Sequence, residues 1–150
     1  MSEKVKQLVE AIPFNAELGI QVINFESGRA KCKLPFKKSL ANHVGTMHAA
    51  AQFAVIEAAS GVALMASLAD LIEQCTPLAV GADIAYRAPA HGDCTADASL
   101  SSEDVKATRD ALFTQDKAKV AVQVTLADSN GTISTECTVR WQIRMNGTKK

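Results

Sequence analysis

The segment from residue 46 to residue 69 constrains the fold more than any other part of the chain. It is rich in helix formers, contains no proline, and between His48 and Asp70 carries a single formal charge, Glu57. Apolar side chains occupy its whole circumference, the pattern of a helix buried on nearly every side. At about 1.5 Å per residue it spans roughly 36 Å, enough to cross a bilayer. Gln52, Glu57, Ser60 and Ser67 interrupt it, however, and the carboxylate lies near its middle. A helix wrapped by a sheet suits that pattern better than a membrane span.

The flanking sequence supplies the sheet. M-S-E-K-V-K-Q-L-V-E-A-I at the start reads as a short amphipathic helix, and P-F-N-A-E-L-G after it as a turn region. Residues 20–25 and 30–36 read as strands joined through Ser27-Gly28. Beyond the long helix, strands are expected over 78–87, 94–102, 119–128 and 132–145, with Ser129-Asn130-Gly131 turning between the last two. Residues 103–116 fit either a loop or a short helix. Strands grouped around one helix predict an α+β fold with an antiparallel sheet, in one domain covering residues 1–150.

Bulk properties narrow the partners. Lys plus Arg and Asp plus Glu number 16 each, so no overall field draws the chain to nucleic acid or to an anionic membrane. Cys32, Cys75, Cys94 and Cys137 form no C-x-x-C pair and the histidines lie apart from them, which argues against a metal site or a disulfide frame. The N-terminal stretch lacks the apolar core and small-residue cleavage site of a signal peptide. These features predict a cytoplasmic protein with reduced thiols.

Glu57 is the residue that needs a reason, because an ionised carboxylate is rarely buried without a partner. It either meets a buried donor or a wet edge of the helix, or it is a catalytic carboxylate tuned by its apolar setting. Nine residues separate it from His48, about two and a half turns and roughly 13 Å along the axis. The two cannot meet within one straight helix. If they act together, a second copy of the helix must lie alongside in the opposite sense, as a twofold axis provides. Small residues at Ala54, Ala58, Ser60 and Gly61 would permit close approach.

Asn42, Gly45, His48, the small pair Ala49-Ala50 and Glu57 fall on a spacing that resembles the hotdog-fold acyl-CoA thioesterases, specifically the phenylacetate-pathway-like branch. The later Y-R-A-P-A at 86–90 resembles the aromatic and proline pattern that follows the central helix in that family. The resemblance implies a five- or six-stranded antiparallel sheet curled around the long helix. It also implies a homodimer, or a dimer of dimers, with active sites across the interface. Glu57 would act on the thioester as general base or nucleophile. The Ala49 amide, at the helix start, would donate to the carbonyl oxygen. Asn42 and His48 would orient the thioester or its attacking water, and Gly45 would lie against substrate. No cofactor is implied, coenzyme A entering only as part of the substrate. Arg87 is a candidate for its phosphates. The resemblance is weaker where Ala-Ala replaces a frequent Gly-Gly and Glu replaces a frequent Asp.

A rival lies in the same letters. His43, fourteen residues before Glu57, and V-I-E-A-A resemble the β-hydroxyacyl thioester dehydratases, in which His removes the α proton and the acid protonates the departing hydroxyl. The chain reads H-V-G-T where that motif has H-F-P-G, so the hydrolase is preferred. A noncatalytic acyl-binding module on the same fold is a third reading.

Overall fold

The computed structural model describes residues 2–147. Four helices and six strands follow one another: α1 (Ser2–Glu10), α2 (Pro13–Leu18), β1 (Gln21–Glu26), β2 (Arg29–Leu34), α3 (Ala49–Ser67), β3 (Cys75–Tyr86), β4 (Cys94–Ser99), α4 (Ser102–Gln115), β5 (Lys117–Ala127) and β6 (Ile133–Met145). A single 3₁₀ turn, Lys38–Leu40, precedes α3. All strands join one antiparallel sheet in the order β1-β2-β4-β5-β6-β3. The α+β reading therefore holds, with six strands.

Alternation along the strands decides which face meets α3. On β5, Ala118, Val122, Val124 and Leu126 are buried; on β6, Cys137, Val139, Trp141 and Ile143 are. The helix contributes Val55, Ile56, Val62 and Leu64, all at 0 % exposure. Each such side chain stabilises the fold by about 1.5–3 kcal/mol. Among the described residues α3 is the one helix long and apolar enough to cross a membrane, and here it lies in the protein core.

Several expectations need correction. The long helix starts at Ala49, not Thr46, because non-local backbone bonds claim the preceding residues: Met47 N–H donates to Ala90 O at 2.9 Å, and Met47 bridges to Ala41. The segment read as a turn is α2. Pro13 opens it and Gly19, at φ 82°, closes it in the left-handed region, the two signals expected at helix ends. β3 begins at Cys75 and runs through Pro77, which an edge strand tolerates.

The undecided stretch 103–116 belongs to a helix. Ser101 caps α4 by accepting from the Asp104 N–H at 3.1 Å. Arg109 then ties α4 to the end of α3, donating to both Asp70 carboxylate oxygens at 2.8 and 2.7 Å. The guanidinium holds the Asp70 carboxyl below its ordinary range.

Candidate active site

The loop before α3 is built by Asn42. Its Oδ1 accepts from the N–H groups of Val44 at 3.1 Å and Thr46 at 3.0 Å, and its Nδ2 donates to Thr46 Oγ1 at 2.8 Å. Gly45 turns the chain at φ 82°, a conformation L side chains rarely adopt. Both residues thus shape the approach to the helix. His43 is exposed on this turn.

His48 is the N-cap of α3. Its Nδ1 accepts from the Ala50 N–H at 2.9 Å, which turns the Nε2 edge of the ring away from the helix. The Ala49 N–H occupies the first helical position, where no intrahelical acceptor exists; among the described residues it donates to none. This free donor stands at the positive end of a 19-residue helix. Two further groups hold the first turn in place. Tyr86 Oη donates to Ala49 O at 3.0 Å. Gln52 Nε2 donates to Met47 O at 3.0 Å, while its Oε1 accepts from Thr135 Oγ1 at 2.5 Å. Gln52 and Thr135 were not singled out as positioning groups in the sequence. A buried Gln one turn into an apolar helix was the available signal for the first of them.

Glu57 lies half-buried two turns along the helix. Among the described residues its carboxylate makes no hydrogen bond or ion pair, and burial pushes its pKa above the ordinary glutamate value. The backbone around it is locked. Trp141 Nε1 donates to Ser60 Oγ at 3.0 Å, and Ser60 Oγ donates to Glu57 O at 2.7 Å. Gly61 makes room for the indole: a Cβ there would stand 3.3 Å from Trp141 Cη2. Ser60 and Gly61 are therefore small to accommodate this tryptophan, rather than leaving an open approach to the helix.

The remaining positions separate. Arg87 extends from the end of β3 and donates through Nε to Glu136 Oε2 at 2.7 Å, among residues of the sheet's outer face. Tyr86, its neighbour, reaches α3 on the inner face. Within one chain, Arg87 therefore does not converge with Glu57 and Ala49. All four cysteines are buried and unpaired. Burial pushes the Cys32 thiol up to about 12 and the Cys94 thiol to about 11, so neither offers a thiolate at neutral pH.

One face of α3 stays open. Ala50 is exposed and Phe53 and Glu57 are half-buried, a stripe at helical spacing that the sheet leaves uncovered. At the sheet edge, β3 leaves Leu78 and Val80 64 % and 56 % exposed.

A six-stranded antiparallel sheet curled around one long helix, with a lone carboxylate on that helix, defines a protein of the hotdog fold. The chain belongs to the family described as "Domain of unknown function (DUF4442)", which it matches over residues 2–143. Among solved structures it is similar to a Pseudomonas aeruginosa protein described as of unknown function, "Probable Thioesterase". The two are 24 % identical, with a TM-score of 0.83 and 97 % of each chain covered. It is also similar to a Chlorobaculum tepidum protein of unknown function, at 16 % identity and TM-score 0.83, covering 97 % of this chain and 94 % of that one. A thioesterase family protein from Silicibacter pomeroyi is 17 % identical with TM-score 0.76, covering 96 % of this chain and 98 % of that one. No curated protein matches.

Proposed function

We propose that the protein hydrolyses acyl thioesters, acyl-CoA in the first instance, in active sites that two chains build together. The observation that carries this reading is Glu57, a half-buried carboxylate with no partner among the described residues, on the open stripe of α3. The thioesterase names borne by similar structures point the same way.

The stripe itself suggests how two chains meet. If a twofold axis passes beside Phe53, residues equally far before and after it face one another across the antiparallel pair of helices. Glu57 then faces the partner's Ala49. The roughly 12 Å of helix axis that separates Glu57 from Ala49 within one chain disappears between two. β3 favours the same arrangement. It is a 12-residue edge strand with exposed apolar side chains, and such an edge invites pairing.

In this site Glu57, ionised, takes a proton from water as the water oxygen attacks the thioester carbonyl. The C–O bond forms while the carbonyl oxygen gains negative charge, which the Ala49 N–H and the helix dipole stabilise. Collapse breaks the C–S bond, and the proton held by Glu57 passes to the departing sulfur, giving acid and free thiol and restoring the carboxylate. Direct attack by the Glu57 carboxylate uses the same geometry: a C–O bond to the carboxylate forms as the C–S bond breaks and the thiolate departs, and water then opens the resulting anhydride to release the acid, its proton going to the thiolate. His48, capping the helix, keeps the Ala49 amide aimed, and Asn42 keeps the loop that presents His48.

Free-thiol release from aryl, short, medium and long acyl-CoAs tests the proposal. Turnover is expected on at least one, falling about 10²–10⁴-fold in Glu57→Gln. No turnover on the panel, or a fully active Glu57→Gln, would remove it.

A further inference from the structure

The outer face of the sheet, turned away from α3, matches most of its cations with carboxylates. Lys31 lies 3.4 Å from Asp97, Lys33 3.2 Å from Asp93, Arg87 2.7 Å from Glu136 and Arg140 2.5 Å from Asp83. At one end of β5 and β6 the matching stops. Lys117 stands directly opposite Arg144, and Lys119 directly opposite Gln142. Among the described residues none of these three cations forms an ion pair. Asp116 lies next in sequence to Lys117 but does not neutralise it. Like charges facing across adjacent strands are destabilising, so the arrangement costs stability that a bound anion would restore.

Arg144 is also prepared for a ligand. With its amide oxygen turned toward the guanidinium, Gln142 accepts from Arg144 Nε at 2.8 Å and Nη2 at 3.0 Å. A neutral acceptor fixes the guanidinium without cancelling its charge. α4 adds a wall through Ala111 and Gln115, one turn apart, and the half-open groove measures about 410 Å³. That volume is in the range of small-molecule sites.

We propose that this groove binds a phosphate-bearing small molecule of nucleotide size, with Lys117, Lys119 and Arg144 on the phosphate oxygens. Arg144 suits a bidentate contact, and the two lysines act as mobile point charges. Gln115 and Gln142 offer amides to the remainder of the ligand, and Ala111 an apolar patch. Two sources carry this chemistry: the nucleotide end of a coenzyme A thioester and a free nucleotide. Binding does not depend on the hydrolase reading; assignment to coenzyme A does.

Isothermal titration of the full chain with adenosine 3′,5′-bisphosphate and with pyrophosphate tests the site. Saturable binding of one ligand per chain is expected, weakening with salt. The affinity should fall at least tenfold in Lys119→Ala and in Arg144→Gln and recover in part in Arg144→Lys, with circular dichroism unchanged. If the variants also raise KM for acyl-CoA but not for the matching acyl-pantetheine, the ligand is the substrate's own nucleotide. If binding falls and KM stays, the ligand is a free nucleotide. Absence of saturable binding, or binding indifferent to these substitutions, overturns the proposal. So does a charge-dependent change in sedimentation without anion binding, which would make the groove a contact between copies.

Discussion

At the scale of single residues, Glu57 carries a stability cost with a definite sign. Burial raises its folded-state pKa above the unfolded value, so the folded chain binds that proton more tightly than the unfolded chain does. Stability therefore falls as pH rises from the ordinary glutamate range through the folded-state value. Glu57→Gln removes the ionisation and should stabilise the protein by about 1 kcal/mol at neutral pH, the compromise expected of an active-site group. Denaturant melts across pH check this: the gain should vanish below the unfolded glutamate value of about 4.3. A variant that is less stable than wild type at neutral pH would mean that the carboxylate has a stabilising partner in solution. The sequence made Glu57 conspicuous because a lone charge in an apolar helix stands out at once. The polar clamp formed by Gln52 and Thr135 did not stand out, since 83 residues separate its members.

At the scale of elements, α3 is held in rotation by Trp141. The chain from indole to Ser60 to the Glu57 carbonyl fixes which face the helix presents, and Gly61 lets the indole close on the backbone. Gly61→Val should overpack this contact and destabilise the fold by about 1–3 kcal/mol. Its acyl-CoA turnover should fall even where circular dichroism shows the chain folded. A variant with wild-type stability would show that the indole has room to shift. Local signals at helix ends are present but are outweighed in the sequence: Ser101, which caps α4, falls within the stretch 94–102 expected as a strand, and Pro13 and Gly19, which bound α2, fit a turn equally well. The start of α3 was misread at residues 46–48, where Ala90 and Ala41, distant in sequence, take the backbone groups that a longer helix would use.

At the scale of the whole molecule, α3 keeps an uncovered stripe and the edge strand β3 exposes Leu78 and Val80. The other edge, β1, is only 6 residues long and carries an irregular register between Val22 and Asn24, a device that discourages further pairing. Sedimentation should therefore show a dimer. Leu78→Lys combined with Val80→Lys should shift it to monomer with parallel loss of thioesterase activity. A stable, fully active monomer would sink the shared-site arrangement.

The apolar circumference of residues 49–67, the alternation in the strands and the isolation of Glu57 were determined by sequence alone. These are local patterns, set by burial and by the pitch of each element. Tertiary structure decided the rest: that Asn42 spends its amide on its own loop, that Ser60 and Gly61 serve Trp141, that Arg87 meets Glu136 on the outer face, and that three cations gather at the end of β5 and β6. Except for the local Asn42 loop, each depends on how residues distant in sequence are brought together by strand register and packing. Register comes from the packing of the whole sheet around α3, and no short stretch of the chain encodes it.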